Sequence, residues 1–142
     1  MFGMMNDPWR FHEEAMTYNS HQYGLALDTF KSDEGLGKMF TPTSTSTNPD
    51  SGDTFVASME SKYYPFYATQ FHPEKVLTQY NSDAIDHSWE STMDNRYLAD
   101  RFIELARMNE NTCGTFEECQ DLIIDNTAVI VTDTYYGNVY AW

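Results

Sequence analysis

The feature that most constrains this chain is the passage from an aromatic run into a histidine, a proline and a carboxylate. Tyr63-Tyr64-Pro65-Phe66-Tyr67-Ala68-Thr69-Gln70-Phe71 leads without interruption into His72-Pro73-Glu74-Lys75. The run predicts a buried strand, and strand ends are where active sites collect in α/β proteins. On a continued strand His72 and Glu74 would share a face about 7 Å apart, too far for a hydrogen bond. Pro73 forbids that continuation, because it has no N–H for a sheet ladder, and it holds His72 extended. The chain must turn at Pro73, which brings the Glu74 carboxylate within reach of one ring nitrogen of His72. Such a carboxylate fixes the tautomer and supports the imidazolium, leaving the second nitrogen to act as a general base.

The rest of the chain sets limits on that chemistry. At 142 residues it is long enough for one domain with a real core, so a single unit over residues 1–142 is expected. Eight Lys and Arg stand against 22 Asp and Glu, a formal charge of −14, which argues against nucleic acid or an anionic membrane as partner. No apolar run approaches the roughly 18 residues of a membrane span. The segment Met1-Phe2-Gly3-Met4-Met5-Asn6-Asp7-Pro8 lacks the basic and apolar regions of a signal peptide. Ten Tyr and nine Phe point to an aromatic core or interface.

Taken in order, residues 1–16 form a short helix or a cover segment, and Thr17 to Gly24 a polar loop. The period of two in Leu25-Ala26-Leu27-Asp28-Thr29-Phe30 predicts a strand. Residues 31–38 predict a turn and a short helix, and the threonine-rich stretch 41–47 an extended segment before the Asn48-Pro49-Asp50 turn. Thr54 to Met59 predicts a strand joined by the short loop Glu60-Ser61-Lys62 to the run that ends at His72, an antiparallel hairpin. Residues 76–89 predict an irregular loop. A helix from about Thr92 to Asn109, capped by Ser88 or Ser91, carries Leu98, Phe102, Leu105 and Ala106 on one face, which should cover the sheet. A short helix within 116–125, a strand at 127–132 and a packed aromatic end at Tyr135–Trp142 complete the pattern.

Other titratable residues read more blandly. The four histidines are scattered and no cysteine lies near them, so a metal site is not expected. His87 reads as structural, with cleft lining as the alternative, and His12 as an ordinary exposed side chain. Cys113 and Cys119 have a spacing that fits neither a zinc knuckle nor a redox pair; it leaves a local disulfide open but favours free thiols. Asn111-Thr112-Cys113 is a rare-form glycosylation acceptor at most.

With these residues in view, the stretch Ser58-Met59-Glu60-Ser61-Lys62-Tyr63-Tyr64-Pro65-Phe66-Tyr67-Ala68-Thr69-Gln70-Phe71-His72-Pro73-Glu74-Lys75 closely resembles the gamma-glutamyl hydrolases. Asn19-Ser20-His21-Gln22-Tyr23, Asp83-Ala84-Ile85-Asp86-His87, Tyr97-Leu98-Ala99-Asp100-Arg101-Phe102, Met1-Phe2 and Thr134-Tyr135-Tyr136-Gly137-Asn138 are similar to further segments of that family. The resemblance implies an α/β fold: the C-terminal part of a class I glutamine amidotransferase-like, flavodoxin-like three-layer domain, with an antiparallel hairpin leading to the His-Pro-Glu loop. It implies His72 and Glu74 as base and orienter of a Cys-His-Glu triad, His21 as a substrate-contacting residue, and no metal or organic cofactor. Lysosomal, vacuolar or secreted compartments are those the family implies.

The resemblance also implies what residues 1–142 would lack. The family's nucleophilic Cys sits on a strand-to-helix elbow in an N-terminal half, with the oxyanion hole, and neither Cys113 nor Cys119 lies in a Gly-x-Cys-x-Gly elbow. The expectation is therefore a partial domain that does not hydrolyse gamma-linked glutamate amides alone. A half domain exposes strand edges and apolar helix faces, so a second protein chain is expected to cover the sheet edge, the nucleophile-bearing half being one candidate. Two non-catalytic alternatives are a structural or assembly subunit derived from the family, and a binding module that keeps a glutamate-recognising surface.

Overall fold

The computed structural model describes residues 1–131 and 138–140. They divide into two compact units, residues 1–108 and 109–142.

The first unit is organised on a three-stranded antiparallel sheet of order β1-β2-β3, with β1 spanning Phe40–Thr47, β2 Thr54–Ser61 and β3 Tyr67–Thr69. The β-branched threonines of β1 favour the extended backbone. The hairpin closes through Asn48, whose side chain accepts the Asp50 N–H at 2.9 Å, and through Gly52 at φ 76°. The β1–β2 register slips between Pro42 and Ser44 and again between Ser44 and Thr45. At the slip the hydroxyls of Thr43 and Ser44 both meet the buried Ser58 hydroxyl, the former at 2.7 Å. Pro42 lies on an edge strand, the one place in a sheet where a missing N–H costs little.

Four short helices and one long one surround the sheet: α1 (Arg10–Glu13), α2 (Leu27–Ser32), α3 (Glu34–Met39), α4 (Pro73–Thr78) and α5 (Trp89–Arg107). The strand expected at Leu25–Phe30 is instead the start of α2, with only an isolated bridge from Ala26 to Phe55. A period of two over six residues is also compatible with Leu27 and Phe30 at i, i+3 on one helical face, and burying Phe30 decides for the helix. The aromatic run before His72 is strand only at Tyr67–Thr69. Tyr63, Tyr64 and Phe66 are exposed in a turn around Pro65, with Tyr64 and Phe66 stacked at 5.5 Å.

The loop expected after Lys75 begins as helix α4. Pro73 stands in its first turn with Glu74, a favoured start because the first N–H groups of a helix have no partner to lose. Val76, 1% exposed, anchors α4 to the core; burying such a side chain is worth about 1.5–3 kcal/mol. Met16, Phe30, Val56, Ala57, Phe71 and Ile85 are buried in the same unit.

Helix α5 is capped as expected by Ser88, whose Oγ accepts the Ser91 N–H at 3.2 Å. Its burial is not as expected. The fully buried residues are the polar Ser91 and Asn95, whereas Phe102 is 64% exposed and Ile103 and Ala106 are exposed too. The apolar stripe through Leu98, Phe102 and Leu105 walls an open groove of about 290 Å3 against Leu77 of α4 and Tyr67 of β3. The main packing partner of α5 is α4 rather than the sheet it was expected to cover, which leaves much of the stripe open.

The second unit holds helix α6 (Phe116–Cys119), two 3₁₀ turns at Gln120–Leu122 and Ile124–Asn126, and an antiparallel pair of β4 (Val129–Val131) with β5 (Asn138–Tyr140). A capping box starts α6: Thr115 Oγ1 accepts the Glu118 N–H and Glu118 accepts the Thr115 N–H at 2.9 Å. Cys113 and Cys119 form a disulfide with Cα atoms 5.9 Å apart, so the preference for free thiols is corrected. Gly114 at φ 118° makes this closure feasible, since a Cβ there would meet the Glu118 carboxylate. Of the stretch Tyr135–Trp142 only the pairing of Asn138–Tyr140 with β4 is described; the side-chain packing expected there lies outside what is described.

Candidate active site

The site begins with Phe71. Its side chain is buried, 5% exposed, against the ring of Phe11, centroids 6.1 Å apart, which fixes the chain just before His72. The Gln70 N–H continues the sheet pattern by donating to Ala57 O at 2.8 Å. The backbone then leaves the sheet. The His72 N–H donates to the Tyr18 carbonyl at 2.8 Å, and His72 becomes the N-cap of α4.

The turn at Pro73 does what the covalent geometry requires. Nδ1 of His72 lies 2.7 Å from Oε1 of Glu74. With Nδ1–H donating to the carboxylate, the neutral ring carries its lone pair on Nε2. The pair is at the surface, His72 about one third and Glu74 more than half exposed. Glu74 and Pro73 also line the apolar groove between α4 and α5. Lys75 follows at once, its Nζ 5.3 Å from the centroid of the Tyr18 ring.

His21 lies in the same 17–24 loop as Tyr18 but turns to local partners. Its Nδ1 donates to Tyr23 O at 3.0 Å, Nε2 meets the Asn19 side-chain amide at 3.1 Å, and the ring sits edge-on to Phe55. Among the described residues no hydrogen bond or ring contact joins His21 to His72 or Glu74. His87 donates from Nδ1 to Val76 O at 2.8 Å and stacks on Tyr80 with centroids 4.3 Å apart, so it braces the end of α4. His12 is exposed beside Trp9. Among the described residues no cluster of three or more His, Cys, Asp or Glu could hold a metal ion. No helix among them is long and apolar enough to cross a membrane.

Two side chains that support the site are not legible as motifs. Asn95 Nδ2 donates to Met16 O at 3.0 Å and Ser91 Oγ to the same oxygen at 3.3 Å, both from side chains with no exposed surface. Nearby, Arg10 pairs with Asp94 at 3.1 Å. Burial raises the Asp94 carboxyl above its ordinary range, aided by Glu14, Asp7 and Glu90, and the pairing with Arg10 only partly offsets this. The surrounding carboxylates in turn raise Arg10 against the opposing effect of its own desolvation.

Comparison with known proteins places residues 10–91, more than half of this chain, in the family "Glutamine amidotransferase class-I". The chain belongs to that family, and its mixture of helices with an antiparallel sheet is in keeping with the family's α/β fold. Within it, the chain is similar to gamma-glutamyl hydrolases. It is 32% identical over 127 residues to the gamma-glutamyl hydrolase of Homo sapiens, covering 89% of this chain and 38% of that protein. Over 109 residues it is 33% identical to gamma-glutamyl hydrolase B of Dictyostelium discoideum, covering 76% and 29%. Probable gamma-glutamyl hydrolase 3 of Arabidopsis thaliana is 30% identical over 110 residues, covering 78% and 31%. The matched region thus spans roughly a third of the length of these relatives.

Proposed function

We propose that this chain carries the base half of a cysteine-dependent gamma-glutamyl hydrolase, acting on gamma-linked glutamate amides such as folate polyglutamates. The observation that carries the reading is the 2.7 Å contact between His72 Nδ1 and Glu74 Oε1, which leaves Nε2 free to take a proton. In this reading Nε2 removes the proton of a cysteine thiol, and the thiolate attacks the carbonyl carbon of the gamma-linked amide. His72 returns that proton to the departing amine as the C–N bond breaks. It then takes a proton from the water that cleaves the thioester and regenerates the thiol. Glu74 holds the ring throughout, and His21 contributes to the substrate side of the loop.

In this reading the thiol comes from outside these residues, which the pairing of Cys113 with Cys119 supports. The apolar groove beside Glu74 supports a covering partner, either the nucleophile-bearing part of the family domain or a second chain that supplies it. The exposed Phe102 and Ile103 also favour a second reading, a structural or assembly subunit in which the groove is occupied by a partner without chemistry.

A direct assay separates the two. Purified residues 1–142 are expected to release no glutamate from a gamma-linked diglutamate, and addition of a thiol-bearing family segment is expected to restore release. Hydrolysis by residues 1–142 alone would contradict the reading. Complex formation without turnover, for wild type and His72→Ala alike, would favour the assembly subunit.

A further inference from the structure

The polar pair Ser91 and Asn95 is the least expected part of the core. Both side chains are fully buried on a helix face where an apolar residue would pack at no polar cost. Asn95 Nδ2 donates to Met16 O at 3.0 Å and to Ser91 O at 2.9 Å. The effect is positional: two donors from α5 converge on one carbonyl of the segment 16–18.

That segment reaches the base. Two residues beyond Met16, the Tyr18 carbonyl accepts the His72 N–H at 2.8 Å. The Tyr18 ring is held in addition by the Lys75 ammonium, 5.3 Å from its centroid. The side chain of His72 is oriented by Glu74, and its backbone is held by Tyr18. Since Glu74 rides on α4, which packs against α5, both supports of the histidine are referred to one long helix.

We propose that Asn95, with Ser91, is a positioning residue: through the Met16 carbonyl it sets the strap 16–18 whose Tyr18 carbonyl fixes the backbone of His72. The proposal deepens the reading of His72 as the base, but its test does not depend on turnover, so the two can fail separately.

The experiment is amide hydrogen exchange by NMR on the 142-residue chain, with the Asn95→Leu variant compared to wild type. The His72 amide, donor to Tyr18 O, is the reporter. The Val56 amide of β2, which donates at 2.9 Å to Leu25 O in the segment before α2, is the control. A buried carbonyl that loses the shorter of its two donor bonds should speed exchange at His72 by about tenfold or more while Val56 is unchanged. The downfield Nδ1 proton of His72, bonded to Glu74, should broaden in the same variant.

Ser91→Ala provides a milder second variant, expected to give the same pattern at smaller amplitude because its bond to Met16 O is the longer, at 3.3 Å. Unchanged His72 exchange and an unchanged Nδ1 resonance in Asn95→Leu would overturn the proposal. Equal loss of protection at His72 and Val56 in both variants would overturn it as well, reducing the pair to ordinary core residues.

Discussion

Nδ1 of His72 and Oε1 of Glu74 lie 2.7 Å apart although a proline stands between them in the chain. Pro73 is what allows this: by starting α4 in place of a continued strand, it turns the carboxylate back toward the ring. The contact is local in sequence and needs little from the rest of the fold. What the fold supplies is the direction in which Nε2 points.

Glu74→Gln keeps an oxygen acceptor beside Nδ1 but removes its charge. In the hydrolase proposed above, completed by a thiol-bearing segment, His72→Ala is expected to lower kcat by about 10²–10⁴-fold, the span of general acid–base catalysis. Glu74→Gln is expected to give a smaller loss with KM little changed. Steady-state kinetics on a gamma-linked diglutamate checks this, and a Glu74→Gln effect confined to KM would argue against an orienting role.

Phe102 is 64% exposed, so replacing it should hardly affect the isolated chain. Phe102→Glu is expected to change stability by less than about 0.5 kcal/mol, as for other surface positions. Met16→Ala, at a site 1% exposed, is expected to cost about 2–5 kcal/mol. Urea denaturation of the two variants beside wild type tests the contrast. In the presence of a covering partner, Phe102→Glu should weaken association.

Periodicity located α5, which starts at Trp89 rather than about Thr92 with Ser88 the cap of the two candidates, and it misjudged the burial of the helix for a physical reason. An apolar stripe records what a helix can bury, and here α5 packs chiefly on the six-residue α4. The His72–Glu74 contact was legible because proline chemistry is local. The hairpin strands were legible from β-branched residues and turn formers. The Asn95–Met16 bond was not, since it joins positions 79 residues apart and an asparagine on a helix usually signals an exposed face. The start of α4 carried a signal that the loop reading passed over: Pro73 and Glu74 in a first turn, followed by Val76 and Leu77.

Asp94 gives a pH-dependent stability of definite sign. Its folded-state carboxyl is raised above the ordinary value of 3.8, chiefly by burial, so the folded protein holds this proton more tightly than the unfolded chain. Its contribution therefore falls as pH rises from about 3.8 through the folded-state value. Wild type is expected to lose stability relative to Asp94→Asn across that window. Chemical denaturation midpoints of both proteins between acid and neutral pH measure the difference; a constant offset would refute the assignment.

Cys113 and Cys119 are joined, and Cys119 is buried. The denatured, unreduced chain is expected to show no thiol reactive toward a chromogenic disulfide reagent, and two after reduction. On the loop-entropy account a closure this short is worth about 2 kcal/mol, so reduction should lower the stability of the second unit by roughly that amount.

The slipped register of β1 bears on how this sheet can grow. Pro42 offers no N–H on that strand, and the two shifts at Ser44 bend the backbone there, so the β1 side is a poor template for another strand. The opposite side, along Tyr67–Thr69, has no strand beyond it among the described residues. Any strand recruited to this sheet is thus steered to the side that ends three residues before His72. The flaw in one border acts as a signpost, making the border nearest the His72–Glu74 pair the one open for addition.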